Sequence, residues 1–295
     1  MLFESTPRPM LRHRWASPVS TYFPWAVYPG LWKGCIGAWC PNLGISGPIL
    51  DYSGYGHVGS REGSIQFAEN GKAGYCLDFD GSDDYVNLGP IPESEGLDVI
   101  SISAWAKIGE SNPGNSMIIA TTDTTPDVAQ FFWDGNDIRS RIDAGGTNTL
   151  INGPDKSAFE YDEWFHFATS YDGTRHRVYF NGLFHDGQDI TGTLDVDSGK
   201  DWQIGAKDGA VLWPGQIDDV RMYNRTLSVE EIWILSGFGG NEEIGRAISY
   251  RVKQQAGSLL PAAAPPAGAP DQIMTALQGH GRINPMIPKD LILSY

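Results

Sequence analysis

The sequence predicts an all-β fold in which two antiparallel sheets pack as a sandwich. Residues 99–107, VISISAWAK, alternate apolar side chains with Ser, Trp and Lys, which is the period-two pattern of a half-buried strand. Two similar runs, 165–169 and 177–180, flank the sequence YDGT at 171–174, a Gly-containing connection of the hairpin type. Asn181-Gly182 follows, a dipeptide that tolerates positive φ at both centres of a second hairpin turn. Short strands separated in this way are typical of sandwiches and barrels.

One helix signal stands out in this part of the chain. Ser228 can accept a hydrogen bond at a helix N-cap, and Glu231 occupies the capping-box position three residues later. The sequence therefore predicts one short helix near the end of the domain.

The 295 residues divide into one domain and two arms. Residues 34–240 carry the strand pattern and form the predicted domain. The N-terminal arm, 1–33, is rich in Pro and aromatic residues, so it is neither a regular helix nor a central strand. The extension 241–295 contains PAAAPPAGAP at 261–270, a stiff Pro/Ala spacer, followed by apolar residues suited to docking. Both arms are expected to order against this domain or a neighbouring subunit.

Charge is distributed unevenly along the chain. The stretch 34–240 has 31 acidic and 12 basic residues, a net charge of −19, whereas residues 1–33 carry four basic side chains and Glu4, a net of +3. Phosphate repulsion would oppose nucleic-acid binding by so acidic a body. The basic arm could contact nucleic acid or an acidic neighbouring subunit.

Targeting signals are not visible in the sequence. The first 30 residues hold three arginines and several prolines but no continuous apolar run of a secretory signal, and no later stretch approaches the length of a membrane span. Cys35, Cys40 and Cys76 have no metal-ligand spacing, which leaves open only whether Cys35 and Cys40 are bridged. The expected location is a virion assembled in the host cytoplasm, with an extracellular protein as the alternative.

Four segments carry a resemblance to a known family. They read DYSGYGHVG at 51–59, LDFDGSDDYVNLG at 77–89, WFHFATSYDGTRHRVYFNG at 164–182 and GQIDDVRMYNRTLSVEEI at 215–232. In order and wording they resemble the laminin-G-like jelly-roll domain of the concanavalin A-like lectin/glucanase superfamily. The lead-in YPGLWKGCIGAWCPNLG at 28–44 is similar to the sequence before such domains in bacteriophage-type proteins. The resemblance implies a two-sheet jelly roll, and it specifies no substrate.

The resemblance also implies a calcium site. In related domains an Asp of the first segment and an Asp of the last converge with backbone carbonyls on one Ca²⁺, which takes about six to eight oxygen ligands. The matching residues are Asp51 and Asp218, with Gly56 and His57 as carbonyl donors. Asp219 is the alternative to Asp218, because successive strand residues face opposite sides. The other interpretation is that Asp51 makes an Asx-turn and Asp218 binds loop amides.

Catalysis is not predicted. Glucanases of this fold carry an E-x-D-x-x-E strand that sets two carboxylates about 5 to 5.5 Å apart in retaining enzymes, and the sequence contains no such triplet. It has no phosphate loop, G-x-S-x-G elbow or H-E-x-x-H motif either. Trp133 and Trp213 lie on or beside predicted loops, so they are the candidates for stacking on a sugar or a partner protein, with packing inside the domain as the equal alternative.

The predicted function is a non-enzymatic structural or adhesive subunit of a phage-like particle, such as a capsid decoration, head-fibre or tail-associated protein. Its partners would be other virion subunits or further copies of itself, reached through the arms, and cell-surface glycans. The leading alternative is a free calcium-dependent carbohydrate-binding lectin module of a secreted or surface protein. A degenerate glycoside hydrolase is the third hypothesis, because some glycoside hydrolases have the same fold.

Overall fold

Two antiparallel sheets packed face to face form the described part of the chain, as predicted. The structure is a computed structural model and describes residues 29–41, 47–72, 74–109, 114–122, 129–155, 162–196 and 199–237. Its strands are β1 (Cys35–Trp39), β2 (Ser60–Glu62), β3 (Gln66–Gly71), β4 (Gly74–Asp80), β5 (Tyr85–Pro90), β6 (Ile100–Ile108), β7 (Ser116–Thr121), β8 (Ala129–Trp133), β9 (Asp137–Ala144), β10 (Thr147–Asp155), β11 (Trp164–Tyr171), β12 (Arg175–Phe180), β13 (Leu183–Asp189), β14 (Asp201–Ile204) and β15 (Pro214–Tyr223). The one α-helix among these residues, α1, spans Val229–Ser236.

The first sheet has eight strands and is organised around β15. Its order is β13-β12-β11-β6-β15-β4-β3, and β1 also pairs with β15. The first half of β15 pairs with β4 and the second half with β1, while β6 lies along its other side. The change of neighbour falls at Asp218-Asp219, where β15 also shifts register against β6 and Asp219 has a φ of 46°. One extra residue at this point is a β-bulge.

The second sheet has seven strands in the order β10-β9-β8-β7-β14-β5-β2. Side chains alternate between its two faces, so each strand sends every second residue into the sandwich. Phe131, Trp133 and Ile142 lie on the inner face and are at most 1% exposed. Phe131 meets Phe167 of the first sheet edge-on, with ring centroids 5.0 Å apart, which is a favourable aromatic geometry.

A second apolar cluster covers the outer face of the eight-stranded sheet. Leu31 from the turn Pro29–Trp32 and Leu235 from α1 pack there against Tyr179 and Tyr223. All nine residues of β6 are buried as a result. The prediction of a half-buried strand at 99–107 was therefore correct in location and wrong in exposure, because α1 and the segment before β1 exclude solvent from the face that carries Trp105.

The predicted turns and helix are confirmed. Strands β11 and β12 form the predicted hairpin and pair from Phe167↔Phe180 to Tyr171↔His176. Asn181 and Gly182 take φ values of 46° and 79° in the turn to β13. Ser228 Oγ accepts a hydrogen bond from the Glu231 backbone N–H at 3.2 Å, and the Glu231 carboxylate accepts one from the Ser228 N–H at 2.9 Å. This reciprocal capping box begins α1.

The predicted domain boundary at residue 34 falls inside the fold. Leu31, 1% exposed, belongs to the outer apolar cluster, and Arg225 donates hydrogen bonds to the carbonyls of Gly30 and Lys33 at 3.2 and 2.5 Å. The folded part thus begins before the predicted boundary. The rest of the predicted arms, including the spacer at 261–270, lies outside the described residues.

Cys35, Cys40 and Cys76 are buried, and no disulfide joins any two of them. Burial raises the pKa of the Cys35 and Cys76 thiols to about 12, so both stay protonated at neutral pH. None of the helices in the described ranges is long and apolar enough to span a membrane.

Two buried histidines hold neutral imidazoles. His176 is enclosed between the sheets by hydroxyl groups, with Nδ1 2.7 Å from Thr149 Oγ1 and Nε2 2.8 Å from Thr169 Oγ1. His166 packs edge-on against Trp105 at 5.3 Å, and its Nδ1 has no hydrogen-bond partner among the described residues. Burial lowers the pKa of each to about 3. The His166 backbone N–H donates a hydrogen bond to Asn181 Oδ1 at 2.8 Å.

We expect these histidines to make the protein sensitive to acid. An unfolded histidine titrates near pH 6.5, so below that pH the unfolded chain binds protons that the native chain cannot. The stability present above pH 6.5 should be lost as the pH falls towards 3, by about 2 kcal/mol per histidine between pH 7 and pH 5. Urea unfolding at several pH values measures this. His176→Asn should reduce the pH slope by about half, whatever its effect on absolute stability, and an unchanged slope would contradict the assignment.

Candidate functional site

A pocket of about 290 Å³ lies on the outer face of the seven-stranded sheet. Strands β7 to β10 form its floor, and the loop between β14 and β15 forms one side. The residues that line it are Asn115, Met117, Gln130, Phe132, Arg141, Asn148, Leu150, Lys207 and Val211. Amides, two cations and apolar side chains are therefore brought together on a face that points away from the core.

The floor of the pocket belongs to a row of cross-strand neighbours. Arg141 of β9 is paired on one side with Leu150 and on the other with Gln130, and Gln130 is paired with Ala120 of β7. The row continues from Ala120 through Gln203 to Asn87 and Ser60. Cross-strand neighbours have Cβ atoms about 5 Å apart, so this row presents a band of mainly polar groups across the whole sheet.

A tight turn closes the pocket on the β14 side. Lys207 and Ala210 exchange two backbone hydrogen bonds, with Asp208 and Gly209 at φ values of 54° and 62° between them. The Gly209 N–H donates to Gln203 Oε1 at 3.1 Å, which fastens the turn over the row of polar residues. We call this segment, residues 207–211, the wall. Its last residue, Val211, accepts a hydrogen bond from the Met117 N–H at 3.0 Å.

Gln130 leaves an unsatisfied donor on the floor. The residue is 3% exposed, and its Nε2 has no hydrogen-bond partner among the residues that the structure describes. A buried amide without a partner costs roughly 1–3 kcal/mol. Such groups need an explanation, and a ligand or an ordered water in the adjacent pocket provides one.

Arg141 is held in place by a neighbour on its own strand. Its Nε and Nη2 donate to the two oxygens of Asp143 at 2.8 and 3.0 Å. Asp143 is 2% exposed, so this bidentate pair is rigid and its carboxylate faces away from solvent. The guanidinium therefore has a fixed orientation at the pocket, which favours recognition of a polar ligand.

The predicted ligand-binding residues, Trp133 and Trp213, do not form a surface. They are 1% and 0% exposed. Trp133 occupies an inward position of β8, one residue after the outward Phe132. Trp213 follows the wall, where its backbone N–H donates to the Gly205 carbonyl at 2.8 Å. The sandwich buries both indoles, which agrees with the packing alternative, and stacking on a ligand stays a prediction that this burial does not favour.

Asp51, predicted to bind calcium, organises its own loop instead. Its Oδ1 accepts hydrogen bonds from the backbone N–H groups of Ala38 and Ser53, at 3.0 and 2.8 Å. Its Oδ2 accepts from Ser53 Oγ at 2.7 Å and from the N–H groups of Gly56 and His57, each at 3.0 Å. Gly56 and His57 thus present N–H groups, not carbonyls, to this carboxylate. Five donors around one carboxylate stabilise its charge and leave little room for a cation.

The remaining predicted ligands are also engaged. The His57 carbonyl accepts from Trp39 Nε1 at 2.7 Å. Asp218 is 1% exposed and accepts hydrogen bonds from the Asp219 N–H at 2.7 Å and Cys40 Sγ at 3.5 Å. Asp219 forms a bidentate ion pair with Arg221 at 2.7 and 3.0 Å. The predicted set therefore does not fit Ca²⁺ in this arrangement, and calcium binding stays a prediction that the hydrogen bonds do not favour.

A different carboxylate group lies at the turn between β4 and β5. Oxygens of Asp80, Asp83 and Asp84 approach within 4.8 Å of one another. Asp84 accepts hydrogen bonds from the N–H groups of Ser64 and Asp80 at 2.6 and 3.1 Å, and Asp80 accepts from the Ser82 N–H at 2.7 Å. These bonds account for the carboxylates as turn-forming groups.

Sequence reasoning missed the pocket residues. Gln130 and Arg141 alternate with apolar neighbours in AQFFW and DIRSRIDA, which indicates only that they face outwards. Their convergence depends on the register between β8 and β9, and the wall depends on the turn at 207–210. Neither feature has a sequence motif.

Comparison with known proteins identifies the architecture. The family model described as concanavalin A-like lectin/glucanases superfamily matches residues 80–233, which is more than half of the chain. A search of curated proteins gives no match.

Solved structures with this fold include toxin and enzyme domains. The receptor-binding domain of a botulinum neurotoxin C/D mosaic serotype has 18% identity and a TM-score of 0.57, over 70% of this chain and 51% of that one. The binding domain of Paraclostridial Mosquitocidal Protein 1 has 14% identity and a TM-score of 0.58, over 70% and 52%. Domain 4 of AbnA, a GH43 extracellular arabinanase from Geobacillus stearothermophilus, has 20% identity and a TM-score of 0.53, over 68% and 98%. The chain spans about half the length of these two toxin binding domains, and the likeness at such identities concerns the fold.

The role of Asp51 can be separated from calcium binding. Removing a buried carboxylate with five hydrogen bonds should lower the free energy of unfolding by about 3–5 kcal/mol, so Asp51→Ala should be strongly destabilised. The exposed Asp186 is the matched control, and Asp186→Ala should change stability by less than about 0.5 kcal/mol. We expect a chelator to leave the melting temperature of the unaltered protein unchanged. A drop in melting temperature on chelation that is absent in Asp51→Ala would instead support the metal site.

Proposed function

The chain belongs to the concanavalin A-like lectin/glucanases superfamily, and we propose that it is a non-enzymatic module that binds a glycan in the pocket on its seven-stranded sheet. The observation that carries the proposal is the buried amide of Gln130, a residue that lines the pocket and whose Nε2 has no hydrogen-bond partner among the described residues. A sugar hydroxyl could accept the hydrogen bond that this group lacks.

The remaining lining fits the same kind of ligand. Asn115, Asn148 and Arg141 add polar groups around the amide, whereas Phe132 and Leu150 offer apolar surface. Sugars present hydroxyls at their edges and C–H groups on their faces, so a pocket of both types matches them. Binding sites commonly combine apolar walls with a few placed polar groups.

The carboxylates of the described residues support a non-enzymatic role. Hydrolysis of a glycosidic bond generally requires two carboxylates that flank it. The described residues lining the pocket include none. Three acidic side chains elsewhere in the fold have other partners: Asp84 in a turn, Asp219 with Arg221, and Glu231 with the helix cap and Arg225.

Two structures of this fold add support by analogy. Domain 4 of the arabinanase was solved in complex with arabinotriose, and a botulinum neurotoxin DC binding domain was solved in complex with SialylT. The second has 19% identity and a TM-score of 0.57, over 71% of this chain and 52% of that one. Glycan binding is thus compatible with the fold, while the ligand of this chain is set by its own pocket residues.

Substitution of Gln130 tests the proposal directly. Gln130→Leu removes the donor while roughly keeping the volume, so we expect binding on a glycan array to weaken at least tenfold, with stability unchanged or slightly raised because the orphan donor is gone. Gln66→Leu, on β3 of the other sheet, is the matched control and should bind normally. Equal binding by Gln130→Leu and the unaltered protein would refute the assignment of this pocket.

A role in a phage-like particle is the wider proposal. It is supported by the Pro-rich basic arm, the Pro/Ala spacer and the apolar C-terminal segment, which suit a subunit that docks on virion proteins or on copies of itself. In this proposal the glycan pocket gives the particle adhesion, and the chain is located in the virion. A free lectin module outside cells is the alternative.

The native mass of the chain distinguishes these two roles. If the arms assemble the particle, light scattering should show a defined oligomer for the full chain and a monomer for residues 29–240. The shorter chain keeps Leu31, which packs in the fold. Two monomers would favour the free lectin module.

A further inference from the structure

The pocket is a closed site rather than a through-going groove. The row of polar positions crosses all seven strands. The wall covers the row at β14, where the Gly209 N–H donates a hydrogen bond to Gln203 Oε1. Gly209 also lies next to Tyr85 of β5, since a Cβ on Gly209 would come within 3.5 Å of the Tyr85 hydroxyl. The wall thus covers β14 and reaches β5. A ligand that lies across strands β7 to β10 therefore ends at the wall.

The opposite side of the pocket is open. Leu150 on β10 is 39% exposed and Asn148 on the same strand is exposed, whereas Met117, next to the wall, is 6% exposed. The pocket therefore deepens from β10 towards the wall. Neighbouring strands are about 4.8 Å apart, so the accessible floor across four strands is roughly 14 Å long.

Charge distinguishes this pocket from the rest of the domain. Its described lining contains two cations, Arg141 and Lys207, and no carboxylate, although residues 34–240 carry a net charge of −19. Lys207 is part of the wall, at the closed end. Positive charge is thus located where the ligand ends, close to the floor that carries the Gln130 donor.

We propose that the pocket recognises the terminal residue of a glycan through an anionic group on that residue, a carboxylate or a sulfate ester. The inference rests on the proposed glycan-binding function and specifies its ligand. In this proposal Lys207 provides the charge at the wall and the Gln130 amide donates a hydrogen bond from the floor. The neutral remainder of the glycan lies over Leu150 at the open side of the pocket. Arg141, whose charge is paired with Asp143, lies between the amide and Leu150 as a guanidinium of fixed orientation.

The test compares glycans that differ only in the terminal group. A trisaccharide ending in glucuronate, its sulfate-ester counterpart and its glucose-terminated counterpart are titrated into the full chain by calorimetry or ligand-observed NMR. We expect at least one acidic ligand to bind about tenfold more tightly than the neutral one, which is typical of one charge-assisted hydrogen bond. The difference should shrink at high salt, because salt screens the Lys207 charge. A ligand with the same acidic residue placed internally should bind no better than the neutral one.

Variants of the wall complete the test. Lys207→Gln should remove the preference for the acidic ligand, and Lys207→Arg should retain most of it. Arg175→Gln, which removes a cation from β12 of the other sheet, is the matched control and should keep the preference. Equal affinity for neutral and acidic ligands, or an unaltered preference in Lys207→Gln, overturns the inference while glycan binding stands. If neither the neutral nor the acidic glycans bind, the proposed glycan-binding function and this inference both fail.

Discussion

The ion pair between Asp219 and Arg221 is the interaction on which the arrangement of the eight-stranded sheet depends. Both residues lie on β15, the strand that pairs with β6, β4 and β1, and Arg221 is 1% exposed. Asp219 has a positive φ at the bulge where β15 exchanges β4 for β1, a conformation that costs a non-glycine residue about 1 kcal/mol or more. The bidentate pair holds that bulge, and Trp32 lies over the guanidinium at 5.6 Å. Removing either partner would leave an uncompensated charge in the interior, which is among the more costly changes a fold can suffer.

This arrangement decides which surface is available for binding. The bulge lets β1 join the sheet, and β1 brings Leu31 and Cys35 into the cluster that α1 completes on the outer face. That face is therefore used for packing. The outer face of the seven-stranded sheet carries a polar row instead, with Gln130, Arg141 and Gln203 in register. Within the described ranges, apolar packing covers the outer face of the eight-stranded sheet, and the wall lies on that of the seven-stranded sheet.

Local signals made much of the fold predictable. The strand at 99–107, the turn at Asn181-Gly182 and the capped helix at Ser228 depend on contacts within a few residues, and the structure confirms their positions. The exposure of β6 was not predictable, because the cover on its second face comes from residues 31 and 235, far away in the sequence. The burial of Trp133 and Trp213 was not predictable for a related reason. A tryptophan near a loop can point inwards or outwards, and the phase of the strand decides which. Asp51 was found as a key residue, and its bonds to Ser53 match the Asx-turn interpretation. Its bonds to the backbone of Ala38, Gly56 and His57 depend on how the loop folds against β1 and were not predictable.

The unpaired amide of Gln130 also has an evolutionary consequence. A polar group that is buried without a partner lowers stability, so selection for folding alone favours Leu or Met at this position. Under the proposed function, a hydrogen bond to the ligand offsets that pressure. In lineages that lose the ligand, the amide should drift to an apolar residue while the surrounding strands stay intact. If the proposed function is right, the residue at this position in other members of the superfamily reports which of them keep a polar pocket.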